Sequence, residues 1–182
     1  MSGKSSQPIG FTAEVTVVAD TALVRLPTEA SERLPSRGQV AVDAKIGDHV
    51  FRTVVEPDGR RGHWIRVDES LQRAADVDPG DEVRVSMRVS PDWPEPDVPA
   101  DLAAALASAP ADVRVVWEDI TPMARWEWVR WVQATRNPQT RARRVEVSIS
   151  KLDGGKRRPC CFDLASCTDP ELARGGKLPE PA

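Results

Sequence analysis

The sequence has no tyrosine and only two histidines, and its three cysteines all fall between Cys160 and Cys167. An odd number of cysteines in one short late segment is not a disulfide framework, and a reducing cytoplasm is the simple inference. Cys160 and Cys161, with Cys167 six residues on, lack zinc-ribbon spacing. No histidine stands near them as a fourth ligand, so neither a metal nor a cofactor is implied. No run of about 18 apolar residues occurs, which excludes a membrane-spanning helix. Residues 1–10 lack the apolar core of a signal peptide, so nothing in them directs export and a cytoplasmic location is expected. No complete catalytic signature is present either.

What remains is an ordinary globular composition: 182 residues, 40% apolar and 29% charged, enough for a real core in one large or two small domains. Residues 11–18 (FTAEVTVV), 39–46 (QVAVDAKI) and 82–89 (EVRVSMRV) alternate with period two, as half-buried strands do. Residues 22–26, 49–56 and 63–67 read as shorter extended pieces. Gly47-Asp48 closes a hairpin, residues 57–62 form a looser turn, and Pro79-Gly80 suits a type II turn. Pro27 starts a brief helix or turn that would lid one barrel end, and Asp68 caps a short helix whose Leu71 and Ala74 would plug an opening. Five or six short strands at this spacing predict a closed or nearly closed antiparallel β-barrel over residues 10–90. Prolines in PDWPEPDVP fix a linker over 91–98. Short helices are expected over 99–158, and residues 159–182 should be an extended or disordered tail. Strands and helices are segregated, so the fold class is α+β.

Residues 121–152 contain Trp126, Trp128 and Trp131, with Trp117 upstream. Thr121 is a good N-cap, and Pro122 falls at the first helical position. Asn137-Pro138 ends that helix. A second helix starts near Thr140, with Ala142, Val145, Ile149 and Leu152 on its apolar face and Arg141, Arg144, Ser148 and Lys151 on another stripe. Val145, Val147 and Ile149 also alternate as a strand would, but the helix accounts for more positions. The tryptophans supply the core payload that four short helices need. The alternative is a stacking or cation–π platform, for which Trp126, off the main stripe, is the exposed candidate.

Charge is uneven along the chain. Residues 121–160 hold ten Lys and Arg against three acids, whereas the total is −3. Arg136, Arg141, Arg143, Arg144, Lys151, Lys156 and Arg157 are therefore the candidate binders of an anionic partner, because guanidinium forks suit carboxylate and phosphate. A solvated face paired with the chain's own acids is the alternative. Arg158 extends the same surface, and nonspecific nucleic-acid binding through it would be salt-dependent. The barrel segment is itself acidic, which argues against DNA there. Cys160, Cys161 and Cys167 are candidate reactive thiols, with Lys156, Arg157 and Arg158 near enough in sequence to lower a thiol pKa. His49 and His63 would act as a pair only by converging with Asp48 or Glu56, and turn polarity explains them equally. The acid pairs Asp81/Glu82 and Glu118/Asp119 need not face one cleft.

The segment over 11–89, with LPTEASERL, the IGDHVFRTVVEPDGRRGHWIRV hairpins and VDPGDEVRV, resembles a domain of unknown function common in bacteria (DUF 1905-like). That resemblance implies a small barrel of the double-split type, similar in shape to swapped-hairpin DNA-binding transition regulators. Trp128, Trp131, Val132, Ala134, Thr135, Thr140, Arg141, Arg143 and Arg144, then Leu152 and Gly155-Lys156-Arg157, resemble the YdeI/OmpD-associated, or bacteriocin-protection, family. The family's name implies protection against antibacterial peptides and association with an outer-membrane porin, and a chain without an export signal does not suit direct porin contact. The function expected is a non-enzymatic binding module with a basic helical face for an anionic ligand or protein partner. The alternative is an enzyme that uses a thiol of the Cys160–Cys167 segment or an inter-domain cleft.

Overall fold

The computed structural model describes residues 7–159 and 168–181. Among these, residues 7–94 and 168–181 form one compact unit and residues 95–159 another. The first unit contains β1 (Ile9–Val18), β2 (Thr21–Arg25), α1 (Thr28–Glu32), β3 (Val40–Ile46), β4 (His49–Pro57), β5 (His63–Arg66), α2 (Glu69–Ala75) and β6 (Glu82–Val89). The strands close in the order β1-β2-β5-β4-β3-β6, antiparallel throughout. Closure leaves none of these strands with a bare edge.

Alternation sets which side chains face inward. In β6, Val83, Val85 and Met87 are buried, while Glu82, Arg84, Ser86 and Arg88 are exposed. Val15, Val24, Val42, Val55 and Ile65 meet them in the barrel core. Each such side chain stabilises the fold by about 1.5–3 kcal/mol relative to leaving it in water. Turn chemistry fixes the register. Gly47 takes φ +58 between Ile46 and its partner His49. Gly80 takes φ +99 after Pro79, and the Asp81 N–H donates to the Asp78 carbonyl at 3.0 Å, a type II turn. Asp68 caps α2 by accepting from the Leu71 N–H. β2 and β5 run antiparallel, so α1, leaving the end of β2, and α2, leaving the end of β5, stand at opposite barrel ends. Ala30 and Leu34 fill one opening and Leu71 the other, while Ala74, expected beside Leu71, faces solvent.

The tail departs from expectation. Residues 168–181 have little regular secondary structure, but they are packed rather than loose. Leu172 and Leu178 are buried against Val18, Leu23 and Trp64, on the outer side of the barrel wall. Trp64 Nε1 donates to Thr168 Oγ1 at 2.9 Å, Arg66 pairs with Asp169 at 2.6 Å, and the Leu178 N–H donates to the Asp58 carbonyl. A tight turn, with Gly175 and Gly176 both at positive φ, brings Arg174 back to Lys177. The cause is written in β2 and β5: TALVR and HWIR are apolar on both faces, so Leu23 and Trp64 need cover outside while Val24 and Ile65 fill the inside.

The second unit contains α3 (Ala100–Ser108), α4 (Ala111–Asp119), α5 (Pro122–Gln133) and α6 (Pro138–Asp153). Thr121 Oγ1 accepts from the Ala124 N–H, and Asn137 Oδ1 accepts from the Thr140 N–H. Each cap is followed by proline at the first helical position, where a missing N–H costs nothing. Pro138 thus opens α6, two residues before the expected start. Trp128 is fully buried among Leu102, Val113, Val132 and Leu152, and it meets Trp131 edge-on at 6.1 Å. The α6 stripes also shift. Ser148, expected on the arginine side, is buried with its hydroxyl donating to the Arg144 carbonyl, and Ala142, expected inside, is exposed. Among the described residues no helix is long and apolar enough to cross a membrane.

Candidate functional site

The cations of the helical unit are largely engaged by the unit's own groups. Arg141 pairs with Asp101 at 2.7 Å through a two-nitrogen fork, and that hydrogen bond holds the Asp101 carboxyl below its ordinary pKa. Arg157 pairs with Asp119 at 2.6 Å. Arg144 lies 5.4 Å from the Trp131 ring centre and donates to the Trp131 carbonyl. Arg125 grips Glu95 and the carbonyls of Trp117 and Ile120, so it ties the α4 end to the linker. Arg158 stands 3.6 Å from Glu127, whose carboxyl is pushed above its ordinary pKa by burial, an effect Arg158 opposes. Arg136, Arg143 and Lys156 are exposed, while Lys151 and Trp126 are half-buried. Residues 95–164 carry eleven basic and ten acidic residues, so the basic stretch meets its counter-charge on α3, α4 and the linker. Of the predicted cations, Arg141 and Arg157 are thus paired with the unit's own acids and Arg144 packs on Trp131, while Arg143 and Lys156 stay exposed. Cys160, Cys161 and Cys167 lie outside the described residues.

A more concentrated basic site lies at the barrel end covered by α1. A cavity of about 570 Å³ is lined by Arg37, Arg60 and Arg61, by Leu26 and Leu34, and by Ser31. Thr28, Glu32, Asp58 and Gly62 complete its wall. Among the described residues no carboxylate pairs with any of these three arginines. Arg37 is anchored by carbonyls: Nη2 donates to Ser31 at 2.5 Å and Leu34 at 3.3 Å, and Nη1 to Arg61 at 3.2 Å. It thereby closes the last carbonyls of α1 and ties that helix to the turn carrying Arg60 and Arg61.

That turn is built for a sharp reversal. Asp58 Oδ1 accepts from the Arg60 N–H at 2.7 Å and the Gly62 N–H at 2.8 Å. Gly59 takes φ +75, and a Cβ there would fall 2.2 Å from the Gly176 carbonyl oxygen, so only glycine admits the tail's approach. Arg61 also takes φ +75, a conformation in which a long side chain is strained.

Beneath the cavity His63 is buried. Its Nε2 lies 3.0 Å from the Gly38 carbonyl, which can only accept, so Nε2 carries the proton and Nδ1 accepts from the Ser31 hydroxyl at 2.7 Å. Burial pushes the imidazole below its ordinary pKa, although the Gly38 hydrogen bond opposes this, and the ring is neutral at pH 7. The two ring nitrogens are thus taken by Ser31 and Gly38 and not by Asp48 or Glu56. Glu56, also buried, takes the Gln39 amide instead. His49 stacks on Phe51 at the far end of β4. Asp81, Glu82, Glu118 and Asp119 are all exposed, with Asp119 occupied by Arg157.

Two family models match the chain. Residues 11–87 match the model described as Domain of unknown function (DUF1905). Residues 95–155 match the model described as Bacteriocin-protection, YdeI or OmpD-Associated. The two matched stretches follow one another along the chain without overlap. No curated protein matches it. The whole barrel-end cavity falls inside the DUF1905 match, whereas Lys156, Arg157 and the cysteines lie beyond the OmpD-associated match. Sequence reasoning passed over Ser31, Arg37, Arg60 and Arg61. The available signal was the Arg60-Arg61 pair inside a turn that needed only small residues.

Proposed function

We propose that the chain is a non-enzymatic binding module for an anionic ligand, and that the ligand seats in the barrel-end cavity. One observation carries this reading: Arg37, Arg60 and Arg61 line a single cavity, none of them forms an ion pair with a carboxylate among the described residues, and with Glu32 and Asp58 in the same wall one net positive charge remains. Guanidinium groups at a concave, partly apolar surface attract an oxyanion more strongly than the same groups spread on a convex one. The neutral His63 and its serine are already satisfied by each other and by Gly38, which suits a rigid floor better than a reactive pair.

A second reading places the partner on the helices, where Arg143 and Lys156 are exposed and unpaired with acids among the described residues. On that reading, the protection named in the second family's description would operate by capture of an anionic partner along α6. The surface pairs Arg141–Asp101 and Arg157–Asp119 weaken it, because a partner must displace carboxylates already in place.

Calorimetric titration with acetate and with inorganic phosphate separates the two readings. The barrel reading expects heat and affinity that disappear in Arg60→Ala/Arg61→Gly and persist in Arg143→Ala/Lys156→Ala. The reverse pattern would transfer the site to α6, and no binding by either anion would remove the barrel reading.

A further inference from the structure

Resting on the barrel-cavity reading above, we infer that residues 168–181 are a positioning strap for that cavity. They hold the turn that carries Arg60 and Arg61, so anion binding and docking of the segment favour each other. The turn projects from a short ladder: β4 and β5 pair at Glu56–Trp64 and Pro57–His63, and Arg60 and Arg61 beyond them are exposed. On the cavity side Arg37 Nη1 donates to the Arg61 carbonyl at 3.2 Å. On the other side lies the segment.

The Leu178 N–H donates to the Asp58 carbonyl at 2.9 Å, and the Gly176 carbonyl oxygen would stand 2.2 Å from a Cβ at Gly59. Trp64 Nε1 is shared between the Pro57 carbonyl at 3.2 Å and Thr168 Oγ1 at 2.9 Å, which ties the start of the turn to the start of the segment. Asp58 is the link to the arginines. Its carbonyl is taken by Leu178, while its carboxylate accepts from the Arg60 and Gly62 N–H groups. A shift of Asp58 when the segment undocks therefore reaches Arg60 through one side chain. The segment itself is seated by Leu172 and Leu178, buried on Val18, Leu23 and Trp64, whereas Glu171, Arg174, Lys177 and Glu180 are exposed. A segment with few buried apolar contacts opens at lower free energy than the strands beneath it. Holding the turn before the anion arrives removes an ordering cost from binding, and by linkage the bound anion holds the segment down by the same factor.

The experiment is calorimetric titration of the full chain with inorganic phosphate and with acetate, beside Leu172→Asp/Leu178→Asp and Leu71→Ala. Charges at the two buried leucine positions undock the segment, and Leu71→Ala loosens the opposite barrel end. The doubly charged variant should lose at least about fivefold in anion affinity, while Leu71→Ala keeps that of the wild type. Hydrogen exchange in the wild type reads the linkage in reverse. Saturating anion should slow the Leu178 amide at least about fivefold and leave the Leu71 amide, held by Asp68 at the other barrel end, unchanged. Anion affinity that is unchanged in the doubly charged variant, or lost equally in Leu71→Ala, would overturn this inference and leave the barrel-cavity reading standing. So would exchange at Leu178 slowed no more than at Leu71, and that comparison alone decides should the doubly charged variant not fold. No binding of either anion by the wild type would sink the barrel-cavity reading and this inference with it.

Discussion

His63 is held neutral by its surroundings, with one nitrogen donating to Gly38 and the other accepting from Ser31. Because burial lowers its pKa in the fold, the unfolded chain takes up the proton first as pH falls. The stability it contributes is therefore complete above the unfolded value of about 6.5 and declines below it, by at most about 1.4 kcal/mol per pH unit. Urea midpoints measured from pH 7.5 to 5.5 should fall in the wild type and flatten in His63→Gln. An identical slope in the variant would mean that His63 is not the group responsible. At this scale the sequence was half legible. Thr121, Asp68 and Gly47 announce their roles by type and position. Ser31 and Arg37 do not, since their significance comes from a helix of five residues folding back over the start of β5. A charge run such as that of α6 shows its sign but not the acids that packing sets opposite it, as Asp101 is set opposite Arg141.

At the scale of elements, period-two alternation located the strands, and caps with proline at the first turn located α5 and α6. The tail was missed because residues 168–181 carry no periodicity. Their fold is imposed from outside by Leu23 and Trp64, two apolar side chains on the outer barrel wall. Leu178→Ala should therefore cost about 2–5 kcal/mol, as for a fully buried core leucine, despite its position four residues from the end of the chain. Chemical denaturation followed by tryptophan fluorescence would measure it. A loss under about 0.5 kcal/mol would show that the segment is only loosely attached. The same segment abuts Gly59, so its packing also bears on the turn that presents Arg60 and Arg61.

For the whole molecule, α+β architecture with an N-terminal barrel and C-terminal helices followed from segregated patterns. The charge asymmetry between residues 121–160 and the rest of the sequence is much reduced between the compact units, because the boundary that matters encloses α3, α4 and the linker acids together with α5 and α6. Three arginines and two acids share the barrel-end cavity, which leaves it one net positive charge. The most direct measurement is an amide NMR titration of the full chain with acetate and, separately, inorganic phosphate at constant ionic strength. The account predicts saturable shifts concentrated at residues 31–37 and 58–63, with residues 136–157 unmoved. Shifts confined to residues 136–157, with the barrel end silent, would contradict it.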